Sequence, residues 1–499
     1  MFCLLAGHRY IYDIQTITQI FFPNERFIQV EEITAPGLTA VSELTAAECR
    51  GALYLDGLLK QESVMPLPEI SAETAGLVTH TPVTDGDDIS GGQEIRRRLM
   101  LTLFLALQVY TGQKPPWGAL TGIRPSKMAR LLAERGYTKA YIIDTMERNY
   151  LTRRDKIALA VEVAEAEKEI LDLQPENAYC LYVGIPFCPS RCLYCSFASY
   201  PIGKDTILTD SYLTALEKEL LSIRNLTQGR VPTSVYIGGG TPTALNEKQL
   251  DRLLAFIRRK FGAAQEFSVE AGRPDTINIE KLSILKAYGV NRISLNPQTM
   301  HDDTLANIGR SHTVKDFYES YGLARVKGFD NINADIILGL PGETPIHVSQ
   351  TMDKLLALEP ENVTVHILTI KRASLLRETL DRTPLADAGA LNEMLAVSRR
   401  MCRVSGMRPY YMYRQKNMLG NFENVGYCLP GRQSLYNVLI MEETRPIWAA
   451  GAGAVTKLVF GGRIERVFNV KNLNDYICRI DEMIKRKEDK YADANTSRH

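Results

Sequence analysis

Cys180-Leu-Tyr-Val-Gly-Ile-Pro-Phe-Cys188-Pro-Ser-Arg-Cys192-Leu-Tyr-Cys195 runs from an apolar, β-branched segment into a loop with three thiols in a CxxxCxxC spacing. Iron–sulfur cubanes are held by cysteine thiolates, and close spacing on one loop lets three of them take one corner each of a single cluster. The fourth iron is then left without a local ligand. A structural zinc site would want four closed ligands, and no second CxxC or HxxxH pair lies near enough to complete one. An open iron suits a cofactor that chelates through an amino group and a carboxylate.

Working outward from this loop, short apolar strands alternate with amphipathic helices as far as about Thr369. The strands read as Leu181 to Ile185, Ser234 to Ile237, Phe267 to Glu270, Arg292 to Leu295, Ala334 to Leu338 and Val363 to Ile367. Six βα units in series imply a parallel sheet, and a closed eight-fold barrel would need two more. The expected class is therefore α/β, a partial (β/α)6 barrel with its chemistry on the loops beyond the strand C-terminal ends. The cysteines occupy the first of these loops.

Polar residues punctuate the later strand ends. Gly238-Gly-Gly-Thr-Pro-Thr243 allows close backbone approach to a ligand's amino or carboxylate group. Glu270 ends the third strand, Gln298 follows Asn296-Pro297, and Asp335 lies in Asn333-Ala-Asp-Ile-Ile-Leu-Gly-Leu-Pro-Gly342. A buried carboxylate is costly unless paired, so Glu270 and Asp335 read either as partners of a ribose or ammonium group or as halves of salt bridges.

The flanks divide the chain into an accessory α+β domain (1–172), the barrel (178–370) and a small α+β cap over the substrate (371–499). In the first, Tyr10 to Thr16, Phe27 to Ile33 and Ala52 to Leu59 read as extended, and Gln93 to Leu171 as helical. The helical part is broken at Lys114-Pro-Pro-Trp-Gly118, and Thr121-Gly-Ile-Arg-Pro125 opens a helix with proline in its first turn; Trp117 and Arg124 read as packing residues in preference to a ligand-facing pair. In the third, Leu385 to Val404 reads as a helix, Pro409 to Arg414, Tyr436 to Met441 and Ile447 to Val455 as strands, and 485–499 as a frayed polar end.

With 45% apolar residues in 499, the chain can bury a sizeable core, and 59 basic against 58 acidic residues give no global field for nucleic acid or a membrane surface. The start, Met1-Phe-Cys-Leu-Leu-Ala-Gly-His8, lacks a signal-peptide pattern. Leu99 to Tyr110 is too short for a membrane span and reads as a buried helix. Nine cysteines without regular pairing point to a reducing cytoplasm. No oligomeric state follows from these residues.

Tyr182-Val-Gly-Ile-Pro-Phe-Cys188, the cysteine triplet, Tyr236-Ile-Gly-Gly-Gly-Thr-Pro-Thr243, Gly289-Val-Asn-Arg-Ile-Ser-Leu-Asn-Pro-Gln298, Ile308-Gly-Arg310 and Asp335 to Pro341 together resemble the radical S-adenosylmethionine (SAM) superfamily. Within it they resemble the oxygen-independent coproporphyrinogen III dehydrogenases. Thr121-Gly-Ile-Arg-Pro125 and Gly451-Ala-Gly-Ala-Val455 resemble its HemZ branch. The resemblance implies a [4Fe-4S] cluster on Cys188, Cys192 and Cys195, with SAM contacts on Tyr182, Tyr194, Gly239, Gly240, Thr241, Glu270, Gln298, Arg310, Asp335 and Thr369. It also implies a one-electron donor, and a tetrapyrrole substrate whose propionates become vinyl groups through a 5′-deoxyadenosyl radical.

Two departures go with it. Characterised members have a cysteine where this chain has Phe197 and a histidine where it has Gly184. Haem chaperones of the family share the Phe-type ending, which sets a non-catalytic haem-binding protein, or a radical enzyme on another tetrapyrrole, beside the dehydrogenase. The chaperones' His-Asn element is here Gln433-Ser-Leu-Tyr-Asn437, without histidine. Arg414, Lys416 and Arg432, near Tyr410, Tyr411 and Tyr413, are candidates for the substrate carboxylates or members of a solvated loop. Cys428 reads as a packed thiol or a relay. His301, His312 and His366 read as satisfied local histidines.

Overall fold

Parallel strands cannot be joined by a tight turn, so each needs a crossover long enough to bring the chain back. The sequence supplies a helix or a long loop each time. The structure is a computed structural model describing all residues except 24, 34–35, 68–90, 123, 197–199, 204–205, 371–373, 383, 416–417, 461–462 and 497–499. In it β1 (Cys180–Ile185), β2 (Ser234–Gly239), β3 (Glu266–Glu270), β4 (Arg292–Ser294), β5 (Ile332–Leu338) and β6 (Asn362–Ile367) pair in parallel in that order. Between them run α1 (Ile207–Leu226), α2 (Glu247–Phe261), α3 (Ile279–Ala287), α4 (Val314–Val326) and α5 (Pro345–Leu356).

The second of these helices shows the local cause. Asn246 and Gln249 form a reciprocal capping box, and Leu250, Leu253, Leu254, Ile257 and Phe261 recur at helical spacing and are all buried. The helix stops at Gly262, whose φ of 76° suits glycine. Each fully buried side chain of this kind contributes about 1.5–3 kcal/mol.

The parallel run stays open. After α6 (Ala388–Val404), β7 (Arg408–Tyr413) and β8 (Asn424–Cys428) continue it antiparallel beyond β6. On the other side β9 (Ile447–Ala450) pairs in parallel with β1, followed by antiparallel β10 (Val455–Phe460) and β11 (Arg463–Phe468). The described sheet has the order β7-β8-β6-β5-β4-β3-β2-β1-β9-β10-β11, so strands from 371–499 extend both edges of the barrel sheet. The six expected βα strands, joined by β9 as a seventh parallel strand and without closure, form the expected partial barrel.

Two stretches read as strands are helices. Tyr10 to Thr16 falls in Ile11–Phe21, where Ile14, Ile17 and Phe21 are buried on one face. Tyr436 to Met441 falls in α7 (Leu435–Glu442), whose first N–H groups, at Leu435 and Tyr436, donate to the Glu266 carboxylate at 2.8 and 2.9 Å. Short apolar runs fit both periods, and these side-chain anchors decide between them.

The chain divides into two compact units, Met1–Val161 and Glu162–His499. The first holds a five-stranded sheet ordered Ile28–Val30, Phe2–Ala6, Leu38–Leu44, Glu48–Leu55, Leu58–Pro66. Asp56-Gly57, both at positive φ, make the tight turn of its last hairpin. Helix Gly91–Thr111 packs against that sheet: a Cβ on Gly51 would lie 2.3 Å from Leu103 N. Leu99, Leu103 and Leu107 are fully buried there, as expected of that apolar run, and Trp117 is buried as a packing residue. Pro125 starts its helix as expected.

In the second unit Glu219 of α1 is fully buried. It accepts from Gly451 N (2.8 Å), Asn469 Nδ2 (2.8 Å), Tyr476 Oη (2.5 Å) and Lys487 Nζ (2.6 Å). Lys487, on α8 (Ile480–Thr496), is 1% exposed, so the described part of the end expected to fray is instead helical and anchored by its own cation. The turn at Gly451 has φ 114°, and a Cβ there would lie 2.6 Å from Gly184 O. The C-terminal helix thus braces the strand that leads into the cysteine loop.

Candidate active site

Pro186 ends β1, and Phe187–Cys188 pairs with Tyr200–Pro201, tying the cysteine loop at its two ends. In the middle, Leu193 N donates to Ile308 O (3.0 Å) and Leu376 N to Leu193 O (2.9 Å). Cys188 Sγ lies 3.5 Å from Thr241 Oγ1, and Arg273 Nη1 3.8 Å from Cys192 Sγ. Burial pushes the Cys188 thiol up, the Thr241 hydroxyl opposes this, and neighbouring Cys195 and Cys192 raise it further.

Among the described residues no three His, Cys, Asp or Glu side chains converge on one ion's position. Thiols that hold separate corners of a cubane have no need to. Three thiols on one loop, with a hydroxyl and a guanidinium turned toward their sulfurs, fit such a cluster. Arg310 also joins the loop, donating to Tyr194 Oη (3.2 and 3.0 Å) and to Gly272 O (3.0 Å), next to Arg273.

The glycine segment docks directly on this loop: Gly240 N donates to Ile185 O (2.8 Å) and Thr241 N to Phe187 O (2.7 Å). A Cβ on Gly240 would lie 2.6 Å from Phe187 O, so only glycine fits. Tyr236 Oη donates to Glu270 Oε1 (2.5 Å) and Gly239 N to Oε2 (3.2 Å). Tyr182 is paired with Tyr236 across β1 and β2, and both rings stack with Tyr436, the closest pair 4.3 Å apart.

The two carboxyls stand in unequal surroundings. Burial raises Glu270 to about 7, helped by Asp335 and opposed by Tyr236, Gly239 and His366. Asp335 is 21% exposed and partial burial acts against its charge, but His366 Nε2 at 3.6 Å, with Asn333 and Thr364, outweighs that and lowers its pKa. Near neutral pH, Asp335 is thus an anion and Glu270 carries a proton part of the time. The folded state holds this proton more tightly than a carboxyl at 4.5, so stability falls as pH rises from about 4.5 to 7. Glu270→Gln is expected to flatten that slope, as read from urea-unfolding midpoints of the nucleotide-free protein across that range.

Gln298, at φ 67°, bridges to Ile336, and its backbone N donates to Asp335 O (3.0 Å). Its Oε1 is buried without a partner, an acceptor that a ligand's N–H or O–H would satisfy. Thr369 bridges to Met418 and donates its hydroxyl to Ile367 O (3.2 Å).

Arg273, which reaches Cys192, escaped the sequence reading, and two histidines were misread. His312, read as satisfied, is 2% exposed with neither ring nitrogen bonded, and burial, reinforced by Arg310, pushes it down to about 4. His366, read as a local histidine, sits between Asp335 and Tyr413 Oη, the latter 3.4 Å from Nδ1. Two-residue alternation puts it on the same face as Thr364, a signal that could have found it. His301 is satisfied as expected, by His347 O (3.0 Å).

The basic candidates lie otherwise. Arg414 is 6% exposed and donates to Asn421 (2.6 Å), so it belongs to no solvated loop. Arg432 binds through its carbonyl to Arg292, the first residue of β4, and Cys428 pairs with Asn362, the first residue of β6. Both lie at the end of the strands away from the cysteine loop, which rules out Cys428 as a relay. Phe197 and Lys416 fall outside the described residues. Gly184 O accepts from Tyr212 Oη (2.6 Å).

A cysteine triplet after the first strand of an open (β/α)6 barrel defines a radical SAM protein, and the family model described as the radical SAM superfamily matches residues 182–355. The oxygen-independent coproporphyrinogen-III oxidase-like protein HemZ of Bacillus subtilis is 38% identical over 406 residues, covering 79% of this chain and 81% of that one. The chain belongs to this HemZ-type family of radical SAM proteins, whose cofactors are a [4Fe-4S] cluster and SAM. The heme chaperone HemW of Bacillus subtilis is 42% identical over 193 residues, 38% of this chain and 50% of that one. The solved coproporphyrinogen III oxidase HemN of Escherichia coli shares the fold, with TM-score 0.50 and 24% identity over 64% of this chain and 73% of that one.

Proposed function

We propose that the protein converts propionates of coproporphyrinogen III to vinyl groups by oxidative decarboxylation, giving protoporphyrinogen IX in anaerobic haem biosynthesis. The reading is carried by the thiol loop and glycine cradle lying beside the stacked tyrosines 182, 236 and 436. A flat aromatic wall of this kind suits a macrocycle. When bound, the cluster and SAM supply a 5′-deoxyadenosyl radical that takes a hydrogen atom from the propionate β-carbon.

In this reading Cys188, Cys192 and Cys195 hold the cluster. Gly239, Gly240 and Thr241 shape the cradle and offer backbone carbonyls to the ammonium of SAM, and Glu270, Asp335 and Gln298 accept its remaining ammonium and ribose donors. Tyr194 and Arg310 close the cysteine side, and Tyr182 and Thr369 line the cradle. Each vinyl group releases one CO2 and one electron, so the partners are a one-electron donor and a one-electron acceptor. Residues 1–172 serve as an accessory domain and 371–499 cover the substrate. Nine free cysteines fit a reducing cytoplasm, and no described helix is long and apolar enough to cross a membrane.

A second reading, haem binding without turnover, is favoured by His366 beside Asp335. Anaerobic incubation of reconstituted protein with coproporphyrinogen III, SAM and reductant separates the two. The expected product carries vinyl groups. No vinyl product together with stoichiometric haem binding would replace the first reading by the second.

A further inference from the structure

Arg273 follows β3 in Ala271-Gly-Arg-Pro274 and is 3% exposed. Asp275 holds its Nε and Nη2 at 2.9 and 2.7 Å. That leaves Nη1 for Ser190 Oγ (3.0 Å), Ser190 O (3.4 Å) and Cys192 Sγ (3.8 Å). A guanidinium is permanently charged and its fork is rigid, so Asp275 on one edge fixes the direction of the N–H groups on the other.

The surroundings strengthen this charge. Arg310 stands against Tyr194, within the same CxxxCxxC loop. After burial, Arg310 does most to oppose protonation of His312, Asp275 favours it, and Arg273 adds a smaller opposition, against Asp316. That imidazole is 2% exposed and neither ring nitrogen has a hydrogen-bond partner.

We propose that Arg273 is a positioning residue for electron entry: through its N–H toward the Cys192 sulfur it raises the reduction potential of the cluster that the three cysteines hold. A thiolate that accepts a hydrogen bond from a fixed cation gives less electron density to its iron, so an added electron is better stabilised. Asp275 moderates the effect, because its carboxylate faces the same guanidinium. The inference rests on membership of the radical SAM family and not on the identity of the substrate.

The test is an anaerobic dithionite titration of the reconstituted full-length protein, followed by EPR of the reduced cluster with neither SAM nor tetrapyrrole present. Arg273→Gln with wild-type iron content is expected to show a more negative midpoint. Asp275→Asn keeps every cysteine and Arg273 but removes the opposing charge, and is expected to shift the midpoint the other way. An unshifted midpoint in fully loaded R273Q overturns the proposal. Should R273Q fail to hold iron, D275N decides alone: an unshifted or more negative midpoint there overturns it. Neither readout depends on tetrapyrrole turnover, so the proposal and the assigned reaction fail separately.

Discussion

Replacing Cys188, Cys192 and Cys195 together by alanine is expected to abolish the iron–sulfur absorption and EPR signal of the anaerobically reconstituted protein and to bring reductive SAM cleavage down to background. The loss should be specific. Two of the three side chains are only half-buried, so removing them takes little from the core. The loop is meanwhile held by backbone bonds at Leu193 and by the pairing of Phe187–Cys188 with Tyr200–Pro201. Far-UV circular dichroism and the unfolding midpoint should therefore stay near wild type while iron and sulfide per chain collapse. Cys428→Ala is the matched control: that thiol is buried at the opposite end of the strands, and its loss should leave iron content unchanged. Full cluster retention in the triple variant would mean that other ligands hold the iron and would undo the site assignment.

The largest stability effect is expected at Glu219. Its carboxylate is fully buried, receives four hydrogen bonds, and faces Lys487, which is 1% exposed. Glu219→Ala leaves an uncompensated buried ammonium and should cost about 3–5 kcal/mol, a large share of the ~5–15 kcal/mol that holds a typical domain folded. The double variant Glu219→Leu with Lys487→Met removes both charges and keeps most of the volume, so it should recover much of the loss. Urea-unfolding midpoints of the two variants and wild type check this. Equal destabilisation in both would show that the hydrogen-bonded frame around Gly451 and Asn469, and not the unpaired charge, carries the stability.

The barrel was legible because short strands rich in apolar and β-branched residues alternate with amphipathic helices six times in series. The thiols and the glycines were legible because their chemistry depends on spacing along the chain. Arg273 was not: its role depends on Asp275 turning one edge of the guanidinium away from the loop, which no spacing encodes. His366 was misread because its partners, Asp335 and Tyr413, come from separate strands. The C-terminal strands were placed in a separate cap because edge pairing with β1 and β6 is a long-range choice that local pattern does not record. Tyr436 went to a helix because the Glu266 carboxylate anchors its N–H group.

The brace between Lys487, Glu219 and the Gly451 turn also has a consequence in time. A nascent chain exposes its thiol loop long before α8 leaves the ribosome, and until then the acid behind β1 lacks its cation. Metal loading is therefore best matched to a chain whose α8 has already docked and brought Lys487 to the acid behind the cofactor's seat.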